Sequence, residues 1–517
     1  MEKSLHVRFE DGSVTEIEPS AERSLAQVLF LHGAFREVPL CSGMGRCGLC
    51  KVKFESEPPE ARKEEQKKLS PQEIEAGWRL SCLHRAEAAR VTIPPAKRVV
   101  PRITDTSSEQ MNGELKLAVD LGTTGLHWAF TLDGETVKSG RELNPQMGLG
   151  SEVMSRLAYA SIPGQCTVLS KLVTSRLKEI IAGTGQVEEM VVAGNPSMTS
   201  ILSQHNVEGL CRAPYTLPDR GGNIVNLDTD LPQAYIPPHL APFVGADITA
   251  GIVALNFSKE KPEYPYLFAD LGTNGEFVLG LSENRYIVSS VPMGPALEGV
   301  GMSNGRTAGP GAVSAFTLSP AGLVPSFIDG EQKDEIPGIT GTGYLSLCAL
   351  LLKAGVLTRE GNFAPGNTPL AARLARNITE IHGTPALDLG RDGFFLPAAD
   401  VEEILKVKAA FNLAMSALLE DAGLAPSELR QIILGGAMGQ HVNINDLVST
   451  GFIPAETYGI TRAAGNTSLA GAIILANNQK SRDFAATLPD NSKVLELAGN
   501  EDFGRKYLER MIFQYVY

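Results

Sequence analysis

Long apolar runs are missing from this 517-residue chain, and no stretch approaches the roughly 18 apolar residues that a membrane span requires. The N-terminal "MEKSLHVRFEDGS" alternates apolar and polar residues and builds no continuous apolar leader, so the expectation is a cytoplasmic protein with no signal sequence and no membrane partner. A basic excess is missing too. With 46 Lys and Arg against 59 Asp and Glu, the formal charge is −13, which argues against nucleic acid or anionic lipid as a partner. An even cysteine count is also lacking: there are seven, which favours thiols or metal ligands over a disulfide framework. Global disorder is excluded by 43% apolar against 20% charged residues.

A chain of this length exceeds one hydrophobic core and divides into two to four domains. Residues 1–95 read as a small mixed module. Leu5, Val7 and Phe9 alternate, "EDGS" turns, and Leu25, Val28, Leu29 and His32 follow helical spacing up to Gly33. A cysteine segment follows and "RVTIPP" closes the module, an order that suits a β-grasp sheet. Residues 96–114 mix charge, Pro, Ser and Gly without periodicity and read as a flexible linker. From 115 to 517 the chain is α/β, with apolar strands such as "LKLAVDL", "YLFADL" and "QIILGG" between helical stretches, notably "VEEILKVKAAFNLAMSALLEDAGL".

Four cysteines crowd the first fifth. Cys41, Cys47 and Cys50 are spaced C-x5-C-x2-C within "CSGMGRCGLC", and Cys82 follows in "GWRLSCL". A 2Fe-2S cluster needs four converging thiolates, and one tight loop supplies three of them only where bulky Cβ groups are absent, as Gly43, Gly45 and Gly48 allow. A structural zinc site or a thiol pair is the alternative, although zinc sites usually carry paired C-x2-C knuckles. His84 is expected at the surface, and Cys166, Cys211 and Cys348 as buried structural thiols. The module resembles 2Fe-2S ferredoxins, its extra residue moving the plant-type spacing toward the adrenodoxin-like one.

"AVDLGTTG" and "FADLGTNGE" repeat one pattern about 150 residues apart: an apolar strand, Asp-Leu-Gly-Thr, a polar turn, another strand. Walker A is excluded, because no Gly-Lys-Ser/Thr follows. Two such loops facing each other would direct the backbone of Gly122, Gly272 and Asn274, with the hydroxyls of Thr123, Thr124 and Thr273, at one polyphosphate. Asp120 and Asp270 at the strand ends would hold Mg2+ through its waters. In "QIILGGAMGQH", Gly435 and Gly436 would let a nucleoside lie against backbone before an expected helix start. Glu276 and Asp247 are candidates for orienting the attacking water, with a structural role as the alternative for each.

The three motifs resemble the superfamily of actin, sugar kinases and heat-shock chaperones (ASKHA), which bind ATP between two ribonuclease-H-like lobes. A ferredoxin module ahead of that fold, together with "NPQ", "GNPSMT", "FVGADI", "GPALEGVGM", "GITGTGY" and "GNTSLAGA", resembles the reductive activators of corrinoid proteins. That resemblance implies ATP-dependent reduction of a Co(II) corrinoid protein to Co(I) in a methyltransferase system. It also implies a low-potential electron donor and a homodimer through the ATPase region. Three features depart from the family pattern. Only about twenty residues stand where many members carry a small domain, Gly125 and His127 replace a Thr and an aliphatic residue, and "GITGTGY" lacks a Cys.

The physical logic is independent of the family. Each ~59 mV of uphill one-electron transfer costs about 1.4 kcal/mol, and ATP can contribute only through states that differ in affinity for the partner. Two other classes fit the same motifs: a redox-regulated small-molecule kinase, or an ATP-driven reductase or adaptor for another metalloprotein.

Overall fold

The computed structural model describes the chain apart from residues 1–3, 42, 44, 46, 96–98, 100, 106–113, 183, 331–337, 382, 392, 437–441 and 498–501. Alternation in the first residues makes a hairpin, Leu5–Arg8 with Val14–Ile17, whose Leu5, Val7 and Ile17 point into a core. Arg90–Thr92 adds parallel to Leu5–Arg8, and Lys51–Phe54 and Trp78–Leu80 complete a five-stranded mixed sheet. Helix Leu25–Leu31 packs Leu25, Val28 and Leu29 on that sheet. It starts where Ser24 accepts from the Gln27 amide and the Gln27 side chain accepts from the Ser24 amide, a reciprocal capping box. This is the expected β-grasp arrangement.

Two lobes follow, each built on a sheet. In the first, Leu115–Leu121, Gly125–Leu132 and Glu135–Leu143 form an antiparallel meander, and Val187–Gly194 runs parallel to Leu115–Leu121. In the second, Tyr266–Leu271, Asn274–Ser282 and Arg285–Pro292 repeat the meander, and Gln431–Gly436 runs parallel to Tyr266–Leu271. The duplication read from the two Asp-Leu-Gly-Thr motifs is therefore a duplication of topology. Helices Ala246–Phe257 and Thr467–Asn477 pack against each other between the lobes. Both are rich in Ala, Gly, Ile and Leu on most sides, as a helix enclosed by two layers must be.

The expected linker needs correction at its centre. Arg102–Asp105 is an edge strand, antiparallel to Glu135–Leu143 with Arg102 opposite Arg141 and Asp105 opposite Lys138. Val99 donates its amide to Glu37 O at 2.7 Å, within the first module. Polar composition concealed the strand because Ile103, Thr104 and Asp105 are exposed, so no buried face imposes alternation.

The first module is docked on the first lobe, and one continuous apolar core runs through both, from Leu5 to Ala234. Cys348 is buried, whereas Cys166 and Cys211 are half-buried. Among the described residues no helix is long and apolar enough to cross a membrane.

Candidate functional site

The cysteine loop joins helix Leu25–Leu31 to strand Lys51–Phe54. Gly43, Gly45 and Gly48 have φ of 93°, 65° and 73°, a left-handed run that side chains resist. A Cβ on Gly45 would also sit 3.0 Å from Leu83 Cδ1. The turn brings Cys41, Cys47, Cys50 and Cys82 to the wall of one cavity of about 260 Å³. Contact with Cys41, then burial, pushes the Cys47 thiol well above its ordinary range, and Cys82 with burial does the same to Cys50. The thiols thus lie in two pairs, 41 with 47 and 50 with 82, which is the donor set of a two-iron cluster with two thiolates on each iron. Thiols this crowded favour exchange of their protons for metal. The Leu49 amide points at Cys47 Sγ from 3.4 Å, an orientation that stabilises thiolate charge.

His84 is not at the surface. It is 7% exposed, and its Nε2 lies 3.0 Å from Oε1 of the buried Glu65. Glu65 also accepts from the Leu80 amide at 2.6 Å and the Arg62 amide at 2.7 Å. Glu65 therefore ties the residues on both sides of Cys82, Leu80 before it and His84 after it, to the segment 62–65.

The opposite wall of the cysteine cavity comes from the first lobe: Gly148, Leu149, Gly150, Ser155, Tyr159 and Ile162. Nothing in the linear sequence announced this cover, since it depends on how two modules dock.

The second site lies between the lobes. Thr124 Oγ1 and Thr273 Oγ1 are 3.0 Å apart, so the two Asp-Leu-Gly-Thr turns meet across the cleft. Asp120 accepts from Ser468 Oγ at 2.8 Å and Asn466 Nδ2 at 2.7 Å, and His127 Nδ1 lies 3.2 Å away. Burial opposes its ionisation, but His127, Asn466 and Ser468 together hold it below the usual carboxylate range. The two departures at this loop compensate each other: a Cβ on Gly125 would come within 3.1 Å of His127 Cε1, so glycine leaves room for the imidazole.

Asp270 has weaker support. Its Oδ2 is 3.5 Å from Thr467 Oγ1, and loss of solvent, then Asp247 and Asp120, push it up to about 8. Asp247 heads helix Ala246–Phe257 and is pushed up to about 7 by loss of solvent and by Asp120. Glu276 stands opposite Asp270 on the neighbouring strand, and burial, then Asp247 and Asp270, raise it strongly. Carboxylates that raise one another in this way form a cation-seeking cluster. Among the described residues no three His, Cys, Asp or Glu side chains close around one point as direct ligands. Asp120, Asp247, Asp270 and Glu276 offer carboxylate oxygens of the kind that accept from a hydrated magnesium ion.

Gly435 and Gly436 are required for a reason beyond the expected nucleoside contact. A Cβ on Gly436 would lie 2.4 Å from Asp270 Oδ1, and one on Gly435 2.8 Å from Thr467 Oγ1. The expected helix start after them falls at 437–441, outside the described residues. Sequence reasoning missed Glu298 in "GPALEGVGM", which accepts from Thr273 Oγ1 at 3.1 Å. It also missed Asn466 and Ser468 in "GNTSLAGA". Each stands in a stretch quoted for the resemblance, but its role becomes visible only when distant loops meet.

Comparison with known proteins assigns three family models along the chain. Residues 265–516 match the family model for the C-terminal domain of RACo, the ASKHA domain, and residues 115–260 match the RACo middle region. Residues 8–87 match the 2Fe-2S iron-sulfur cluster binding domain. The chain belongs to the RACo family.

Two curated relatives align with most of the chain. The corrinoid activation enzyme RamQ of Eubacterium limosum is 26% identical over 433 residues, covering 79% of this chain and 72% of that protein. The [Co(II) methylated amine-specific corrinoid protein] reductase of Methanosarcina barkeri is 26% identical over 442 residues, covering 76% of each chain. A solved structure, the reductive activator for corrinoid,iron-sulfur protein, shares the fold over 98% of both chains with a TM-score of 0.68 at 22% identity. The RACo fold thus carries a 2Fe-2S domain and an ASKHA domain in one polypeptide here.

Proposed function

We propose that this RACo-family protein is an ATP-dependent reductive activator that returns an inactive Co(II) corrinoid protein to Co(I) in a methyltransferase system. The observation that carries the reading is the joining of a paired-thiol cavity to an ASKHA cleft in one chain whose two named relatives act on corrinoid proteins. The cluster, when bound, supplies one-electron chemistry from a low-potential donor, and MgATP supplies the free energy.

The chain's own residues have separable tasks. Cys41, Cys47, Cys50 and Cys82 hold the cluster, and Gly43, Gly45 and Gly48 give the loop its reach. Gly122, Thr123, Thr124, Gly272, Thr273 and Asn274 present amides and hydroxyls to the phosphates, Asp120 and Asp270 accept from magnesium's waters, and Gly435 and Gly436 leave room for the nucleoside. Asp247 and Glu276 stand behind these carboxylates. ATP binding draws the lobes together, since groups on both sides of the cleft converge on one ligand, and closure alters the grip on the corrinoid protein. A homodimer through the ATPase region belongs to the same proposal.

The test is anaerobic. Reconstituted protein, a Co(II) corrinoid protein and a low-potential reductant are mixed with and without MgATP, and Co(I) absorbance is followed. The expected result is ATP-dependent Co(I), abolished in both Cys47→Ala and Asp270→Ala. Cobalt that stays Co(II) while ATP is consumed overturns the assignment and favours a kinase, which a panel of small hydroxylated substrates would then reveal.

A further inference from the structure

The cleft holds a carboxylate oxygen that no donor reaches. Glu298 sits in the turn Pro295–Glu298 beside the second phosphate loop, with Oε1 3.1 Å from Thr273 Oγ1. Thr273 in turn meets Thr124 of the first loop. Glu298 Oε2 is shielded from solvent and has no hydrogen-bond partner. Asp247 Oδ1 accepts from the Ile248 amide, and neither Asp247 nor Glu276 has a carboxylate oxygen among the shielded, unpartnered atoms of the described residues. A shielded carboxylate oxygen without a donor is costly unless a ligand completes it.

We propose that Glu298 is the catalytic base of ATP hydrolysis, its Oε2 holding the attacking water where both phosphate loops converge. The water oxygen bonds to the γ-phosphorus as the bond from that phosphorus to the β,γ-bridging oxygen breaks. Glu298 takes the water's proton, and ADP and phosphate leave. This deepens the ATP-driven reading and rests on it. Calorimetry of MgATP binding and single-turnover hydrolysis are measured on wild type, Glu298→Gln and Glu276→Gln. The expected outcome is Glu298→Gln with ATP affinity within threefold of wild type and hydrolysis lowered about 10²–10³-fold. Turnover within threefold of wild type, or affinity lost in proportion to turnover, overturns the assignment. If Glu298→Gln does not fold, Glu298→Asp, which keeps the charge but withdraws it by one methylene, is read by the same criteria. Failure of wild type itself to bind ATP would instead refute the nucleotide reading.

A separate set of contacts joins the two sites. Asn144 donates its amide to Thr124 O at 2.8 Å and its Nδ2 to Gly122 O at 2.7 Å, gripping the first phosphate loop. Gln146 is fixed by its amide on Asn144 Oδ1 and its Nε2 on Leu169 O. Four residues after Asn144, Gly148 lies under Phe30 of the ferredoxin module, so close that a Cβ there would be 2.1 Å from the ring. Gly148, Leu149 and Gly150 then wall the cysteine cavity, and the buried Arg156 guanidinium holds Gly150 O.

We infer that residues 144–150 are a strap through which occupancy of the phosphate loop sets how tightly the cysteine cavity is covered. The strap is short and bonded at both ends, so a shift of Gly122–Thr124 on ATP binding reaches Gly148. The probe is MgATP or its non-hydrolysable analogue, its binding measured in the same samples. Hydrogen exchange of peptides spanning 24–32 and 147–162 is read alongside iron loss to a chelator. Nucleotide is expected to change both rates at least fivefold in wild type, and Asn144→Ala to bind nucleotide with neither rate responding. Rates unchanged by bound nucleotide, or an Asn144→Ala response equal to wild type, overturn the strap.

Discussion

Glu65 Oε1 and His84 Nε2 lie 3.0 Å apart inside the ferredoxin module, in contact with no solvent on the carboxylate side. The same carboxylate receives the Leu80 and Arg62 amides. Burial disfavours its charge, but His84 and the two amides outweigh that and lower its pKa. Glu65→Ala leaves those donors unpaired, at about 1–3 kcal/mol for each buried group. Against a stability of roughly 5–10 kcal/mol for a small domain, most of the module's margin is lost. The expected outcome is a protein that retains ATP binding and loses its visible cluster absorbance on mild warming, while Glu65→Gln, which still accepts from an amide, is milder.

The carboxylate cluster predicts a pH dependence with a definite sign. Asp247 and Asp270 are raised to about 7 and about 8, above their unfolded values, so the folded state binds more protons. Their contribution to stability is fully present below about pH 4 and is lost as pH rises through 7 to 8. Thermal midpoints of the nucleotide-free protein should therefore decline across that window. A magnesium ion reverses the balance by favouring the ionised forms, so MgATP binding at pH 7 should release protons. Calorimetry in buffers of different ionisation enthalpy measures the release, and Asp270→Asn should diminish it.

Gly436 gives a sharper test of the cleft. Its φ is 73°, and a Cβ would fall 2.4 Å from Asp270 Oδ1 and 2.8 Å from Leu271 O. Gly436→Ala combines left-handed strain of about 1 kcal/mol with displacement of the Asp270 carboxylate. Hydrolysis should fall by at least tenfold with the cluster absorbance unchanged. Loss of the cluster as well would mean that the two sites are not separable in this way.

Local chemistry explains what the sequence disclosed. Cysteine spacing with Gly43, Gly45 and Gly48 encodes the thiol cavity, because all three bends lie within one loop. The two Asp-Leu-Gly-Thr turns are equally legible, since each is a strand end followed by a tight turn. Glu298, Asn466 and Ser468 were not legible, because each acquires meaning from loops more than 20 residues away. His84 was misjudged on similar grounds: its partner Glu65 stands 19 residues upstream, beyond any local pattern. Arg102–Asp105 escaped notice because none of its side chains is buried. The cover over the cysteines depends on docking, which no local pattern records.

The lobes meet at a helix crossing that glycine makes possible. Helices Ala246–Phe257 and Thr467–Asn477 approach so closely that a Cβ on Gly471 would lie 1.8 Å from Ala250 O. Backbone cannot yield there as a flexible side chain would, so Gly471→Ala must push the helices apart, at about 1–3 kcal/mol for overpacking. Gly504 offers the matched control: it lies in helix Phe503–Glu509, its Cβ would meet nothing within 4 Å, and alanine there gains about 0.5–1 kcal/mol of helix propensity. The expected result is a thermal midpoint lower for Gly471→Ala and unchanged or higher for Gly504→Ala. If the lobes close on ATP about this crossing, as the proposed function requires, Gly471→Ala should also raise the KM for ATP, while Gly504→Ala leaves it alone. Equal midpoints and equal KM values in the two variants would show that the crossing carries neither stability nor closure.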